Sequence, residues 1–193
     1  MADMHASLDQ PSEWVRRFAP LIGKGEVLDL ACGGGRHARL LAALGHHVVA
    51  VDRDRQALER AAGEGILPIC CDLEAGGADG AVWPFAAQRF AGIVVTNYLH
   101  RPLFRHIVDS LAPGGILIYE TFAAGNAAFG KPSNPAFLLQ PGELLRLAAE
   151  AAPPLRIIAF EDGYVSVPKP AVVQRLCAAK PGTESDPGRY ALG

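Results

Sequence analysis

The chain has 193 residues, half of them hydrophobic and 20% charged, with a net charge of -2; it is long enough to bury a substantial core and too apolar to be disordered. Its 18 lysines and arginines are scattered, with no run longer than Arg16-Arg17, which argues against a phosphate-tracking nucleic-acid surface. No apolar run approaches the ~18 residues of a membrane span, and "MADMHASLDQ" lacks the basic-then-apolar layout of a secretory leader, so a cytoplasmic protein without a membrane partner is expected.

The predicted elements alternate between helix and strand. In "PSEWVRRFAPLI", Trp14, Phe18, Leu21 and Ile22 share one helical face, so residues 1–25 are expected to supply a covering helix. "EVLDL" (26–30) is a short apolar strand carrying one carboxylate, and after three glycines the stretch from Arg36 to Leu44 is helical, stopped by Gly45. "HVVAV" (47–51) is the continuous β-branched run of a strand buried on both faces, ending at Asp52. Asp54 caps a helix over 55–62, and "LPICC" (67–71) is a third strand closed by Asp72. Residues 74–88 are Gly- and Ala-rich around "WPF" and predict an irregular connection. "AGIVVTNY" (91–98) is the fourth strand. A helix from Pro102 to Leu111, a break at "APGG" (112–115) and a fifth strand at "ILIYE" (116–120) follow.

Residues 121–141 form a loop long enough to be a functional cover, and a helix spans 143–151. "LRIIAFEDGYV" and "AVVQRLCAAK" are two strands with no crossover between them, which must pair antiparallel. The expected fold is therefore α/β: a three-layer, doubly wound, mostly parallel seven-stranded sheet with an antiparallel C-terminal strand. It forms a single domain over 1–180, and a disordered tail follows from 181 to 193. Cys32, Cys70, Cys71 and Cys177 include no C-x-x-C pair and have no histidines at zinc spacing, so reduced thiols and no metal site are expected.

Ligands of open parallel sheets bind beyond the carboxyl ends of the strands, where this sequence collects its polar residues. Gly33 to Ala38 satisfy the dinucleotide fingerprint G-x-G-x-x-[GA], and Asp52 lies at the spacing of a ribose-binding carboxylate. Two residues argue for another ligand. Asp29 sits inside the first strand, where a buried carboxylate needs a cationic or hydrogen-bonding partner such as an amino-acid ammonium group. Asp72, at the third strand end, suits an exocyclic amine such as that of adenine. Adenine, ribose and an amino-acid tail together describe S-adenosylmethionine.

"VLDLACGGGRHARLLAALGHHVVAVDRD" resembles the first two motifs of the class I S-adenosylmethionine-dependent methyltransferases. "ICCDLE", "AGIVVTNYLHR" and "SLAPGGILIYETF" are similar to the third, fourth and fifth. Within that superfamily the chain most resembles the small bacterial enzymes related to tellurite-resistance methyltransferases. The resemblance implies Asp29, Gly33 and Gly35 around the methionyl portion, Asp52 on the ribose, Asp72 and Leu73 at the adenine, and Asn97 near the methionyl group. Ala31 replaces the usual first glycine, a change compatible with the motif only at negative φ.

Methyl transfer needs alignment more than acid–base help. Tyr98, His100 and Glu120 are the candidate catalytic groups, with His37, His106, Tyr119 and Tyr164 weaker. Asn126, Phe129, Lys131, Asn134 and Phe137 are the candidate substrate contacts under the 121–141 loop. A chain barely longer than the catalytic core favours a small-molecule acceptor. The alternatives are an NAD(P)-dependent oxidoreductase using Gly33–Ala38, a methyltransferase acting on RNA or protein with a partner subunit, and a catalytically silent cofactor-binding protein.

Overall fold

The computed structural model describes residues 10–76, 80–182 and 190. Helix α1 (Glu13–Phe18) starts where the Ser12 hydroxyl accepts the Trp14 N–H at 3.1 Å, and runs into a 3-10 turn, Ala19–Leu21. Strand β1 (Glu26–Leu30), α2 (Arg36–Ala43), β2 (His47–Asp52), α3 (Arg55–Ala61), β3 (Ile66–Cys70) and β4 (Phe90–Thr96) follow in strict alternation, apart from the irregular stretch before β4. Then come α4 (Leu103–Ser110), β5 (Leu111–Phe122), α5 (Glu143–Glu150), β6 (Arg156–Val165) and β7 (Ala171–Ala179).

One seven-stranded sheet results, in the order β3-β2-β1-β4-β5-β7-β6. The first five strands pair parallel, and β7 inserts antiparallel between β5 and β6. This is the α/β architecture expected from the alternating pattern and the crossover-free C-terminal pair. Consecutive side chains point to opposite faces, so the unbroken apolar run Val48–Val51 feeds two cores at once. Val49 and Val51 join Leu28, Leu30, Leu103, Ile107 and Leu144 on the α4–α5 side. Val48 and Ala50 join Val27, Trp14, Leu41 and Leu58 on the α1–α3 side. Winding reverses between β1 and β4, the switch point where an open sheet leaves a crevice.

The structure departs from the sequence reading in places. "APGG" is not a break before the fifth strand but an irregularity inside β5, marked by a register shift opposite Phe90 and Gly92. Thr121 and Phe122 likewise belong to β5 rather than to the loop. The third strand begins one residue earlier than expected and is an edge, with Leu67 exposed. The described residues between β3 and β4 carry no helix. Most of the expected disordered tail, and the first nine residues of the covering region, lie outside the described residues. Among those described, no helix is long and apolar enough to cross a membrane, and no group of His, Cys, Asp and Glu is placed to hold a metal ion.

Strand β7 also anchors the loop after β5. The Val172 N–H donates to Asn126 Oδ1 at 3.1 Å, Gln174 Nε2 donates to the Gln140 carbonyl at 2.6 Å, and the Leu144 N–H donates to Gln174 Oε1 at 3.0 Å.

The junction from β1 into α2 depends on close packing at one glycine. Gly35 has φ +76°, and a Cβ there would stand 2.5 Å from the Ala61 Cβ of α3. Gly35→Ala is expected to cost about 2–4 kcal/mol, combining left-handed strain with overpacking. Urea denaturation checks this, and an unchanged midpoint would show that the helices have room to separate.

Candidate functional site

A cleft of about 370 Å³ opens at the carboxyl ends of the parallel strands. Ala31 from the turn after β1 and Asp52 at the end of β2 form one wall. Asp72, Leu73 and Glu74, after β3, form the next, and Asn97 and Tyr98 follow β4. Thr121 and Phe122 at the end of β5 close the floor, while Pro132 and Phe137 reach in from the long loop.

Asp52 organises the turn. One carboxylate oxygen accepts the Gly33 N–H at 2.8 Å and the other accepts the Asp54 N–H at 2.9 Å. Gly33 has φ +53°, and nothing lies within 4 Å of where its Cβ would be, so its exposed face is open for a ligand to approach. Gly35, expected beside the ligand, has the side where its Cβ would stand closed by Ala61. Ala31 lines the cleft, and its φ is +53° rather than the negative value expected. The chain must turn sharply out of β1 there, and alanine takes the left-handed conformation at a cost of about 1–2 kcal/mol. Asn97 has φ +55°, which asparagine tolerates well.

Asp29 is 1% exposed, and neither carboxylate oxygen has a hydrogen-bond partner among the described residues. Burial pushes its pKa up to about 7, against the opposing pull of the Ala38 backbone amide and the Arg36 charge. Beside it on α2, His37 is equally buried. Its Nε2 accepts the Ser12 N–H at 3.1 Å and its Nδ1 lies 3.2 Å from Thr96 Oγ1. These contacts assign the neutral ring with the proton on Nδ1, and burial lowers its pKa to about 3. His37 therefore ties α1 to the end of β4 and takes no part in the cleft.

Of the three candidate catalytic groups, only Tyr98 reaches the cleft. Burial and the facing Glu74 carboxylate push its hydroxyl well above the ordinary tyrosine range. His100 is turned away, its Nε2 bonded to the Gly80 carbonyl. Glu120 does not line the cleft and stands in an ion pair with Arg175 at 2.6 Å, off the line of a hydrogen bond. That pairing follows from register, since Arg175 is the β7 residue directly across from Glu120. His106 stacks on Trp83, and the Tyr119 hydroxyl donates to the Tyr98 carbonyl at 3.0 Å.

Of the five loop residues, only Phe137 lines the cleft. Asn126 is buried and clamps the backbone at Pro132 and Val172. Asn134 caps the 3-10 turn Pro135–Phe137 through the Ala136 N–H. Phe129 packs on Tyr164, at 5.1 Å between ring centroids, and Lys131 is exposed.

Residues 27–115 match the family model described as a methyltransferase domain. Over that segment the chain is similar to a methyltransferase domain. Over 92 residues it is 35% identical to the protein-L-isoaspartate O-methyltransferase of Bradyrhizobium sp. (strain ORS 278). That alignment covers 48% of this chain and 42% of the relative, and a second curated relative is covered over 51% of its length, so the chain spans about half of the curated relatives it matches. Two solved structures share the fold at a TM-score of 0.69. One is an S-adenosylmethionine dependent methyltransferase from Mesorhizobium loti, 18% identical, covering 90% of this chain and 100% of that one. The other is TehB from Haemophilus influenzae, 17% identical, covering 88% and 62% respectively. At those identities the likeness is one of fold alone.

The antiparallel insertion of β7 argues against the oxidoreductase alternative, whose dinucleotide-binding halves would continue in parallel. Sequence reasoning missed Glu74, Thr121, Phe122 and Pro132 as parts of the cleft. Glu74 directly follows two residues assigned to it, and that adjacency was the available signal.

Asp29 and His37 give the domain opposite pH dependences. Asp29 has a folded pKa above its ordinary 3.8, so through this group stability rises as pH falls from about 7 toward 3.8. His37 has a folded pKa below its ordinary 6.5, so through this group stability is lost as pH falls below 6.5. Asp29→Asn is expected to raise stability at pH 8 by about 2–4 kcal/mol and to leave a profile that only declines below pH 6.5. Urea denaturation between pH 5 and 8 reads both effects. Equal stability of variant and wild type at pH 8 would mean that the carboxylate is solvated.

Proposed function

We propose that the cleft binds S-adenosylmethionine and that the protein methylates a small-molecule acceptor. The observation that carries this reading is the orphaned Asp29 carboxylate, sealed beneath a glycine turn whose Gly33 faces open space. An uncompensated buried carboxylate is costly, and an amino-acid ammonium group, reached directly or through water, is the partner that a dinucleotide lacks. Asp52 would take the ribose hydroxyls, and Asp72 with Leu73 the adenine. Asp52, Asp72 and Glu74 outnumber Arg53 along the walls, a balance that favours a ligand carrying positive charge.

When bound, the cofactor supplies a methyl group already activated on a sulfonium. The residues of this chain then align an acceptor and keep water out. Phe122, Pro132 and Phe137 give the cleft its apolar shielding. Tyr98 keeps its proton, since burial and the facing Glu74 carboxylate hold its pKa far above neutrality, and so orients rather than abstracts. The modest volume of the cleft, about 370 Å³, supports a small acceptor over a macromolecule.

Binding is tested by thermal shift and calorimetry with S-adenosylhomocysteine, NADH, NADPH and ATP. A ligand at 100 times its Kd stabilises by roughly 2.7 kcal/mol, a shift of several degrees. Stabilisation by S-adenosylhomocysteine and not by NADH is the expected result, and the reverse would overturn the reading. Asp52→Ala should weaken S-adenosylhomocysteine by about tenfold or more, because charged acceptors of the ribose hydroxyls disappear. Unchanged affinity in a folded variant removes Asp52 from the site. Turnover with candidate acceptors separates an enzyme from a silent cofactor-binding protein.

A further inference from the structure

One side chain outside the cleft holds a wall of it. Arg101, in the turn between β4 and α4, spans three partners. Its Nε and Nη2 donate to the two oxygens of Glu143 at 2.6 and 2.9 Å, in a fork-to-fork pair. Its Nη1 donates to the Ala136 carbonyl at 2.8 Å, and Nη2 also donates to the Leu138 carbonyl at 3.0 Å. Ala136 and Leu138 are the residues on either side of Phe137.

The far end of this strap is firm. The Glu143 side chain is 5% exposed at the start of α5 and also accepts the Gln140 N–H at 2.7 Å. Burial alone would raise its pKa, but the hydrogen bonds from Arg101 hold it below the ordinary range, so the pair is ionised at neutral pH. The held segment is different. Among the described residues, the remaining hydrogen bonds of residues 133–137 stay within their own turn, through Asn134 and Pro135. Two prolines, Pro132 and Pro135, take donors out of this stretch. Phe137 is 49% exposed although it faces the cleft, so its own burial cannot fix it in place.

We infer that Arg101 is a positioning residue that holds Phe137 as the apolar wall of the ligand cleft, so that ligand affinity depends on Arg101 through Phe137. This rests on the reading of the cleft as a cofactor site. Arginine is required because the five donors of a planar guanidinium reach a carboxylate and two carbonyls together, which one ammonium cannot.

The test uses the full chain as wild type, R101K, F137A and the double variant. R101K keeps a positive charge opposite Glu143 and gives up the fork; R101Q replaces it if R101K fails to fold. Calorimetry with S-adenosylhomocysteine is expected to show about a tenfold weaker Kd for each single variant, and a double variant no weaker than the worse single. Limited chymotrypsin digestion without ligand should cut after Phe137 faster in R101K than in wild type. Unchanged affinity in R101K, or losses in the double variant that multiply, would overturn the inference. If the wild type does not bind S-adenosylhomocysteine, the cofactor reading fails and digestion alone decides: faster cleavage supports the strap, and an equal rate overturns it.

Discussion

The Asp52 carboxylate joins the two turns on which the cleft is built. By accepting the Gly33 and Asp54 N–H groups it fixes the loop after β1 to the loop after β2, and the Asp52 carbonyl accepts the Cys71 N–H at 2.9 Å after β3. Three adjacent strand ends are thereby held in one arrangement by one residue. Polar backbone that would otherwise be unpaired at the sheet edge is satisfied there, and the open side of Gly33 faces outward as a result. The rest of the site is placed relative to this point: Ala31 before the turn, Asp29 beneath it, Asp72 and Leu73 beyond it.

Much of this was legible because the relevant signals are local. Apolar runs bounded by glycine or a carboxylate marked the parallel strands, and the same strand-end carboxylates marked the cleft. Asp29 stood out because a carboxylate inside an apolar strand demands an account. The remainder depended on contacts between residues distant in sequence. Glu120 looked like a cleft residue until the β5–β7 register placed Arg175 opposite it. Arg101 and Glu143 stand 42 positions apart, a separation with no helical or strand period. The need for glycine at position 35 comes from Ala61, 26 positions further on, which no local pattern announces.

The loop after β5 shows why polar residues in a long segment mislead. A segment without regular structure must still pair its own backbone groups. Asn126 and Asn134 do this, one bridging Pro132 to Val172 and the other capping a single turn. Their chemistry resembles that of ligand contacts, but it is used to hold the loop in shape. What the loop contributes to the cleft is apolar, from Pro132 and Phe137.

The position of β7 between β5 and β6 bears on the order of assembly. Strands β1 to β4 have their neighbours within the first 122 residues, whereas the outer edge of β5 is covered only by residues 171–179. Asn126, Gln140 and Leu144 find their partners on that same late strand. A chain leaving the ribosome can build the half of the cleft that carries Asp29 and Asp52 well before its cover has anything to dock on. Until residues 171–179 have been made, the β5 edge of a nascent chain has no partner strand of its own, and such an edge is a template for association.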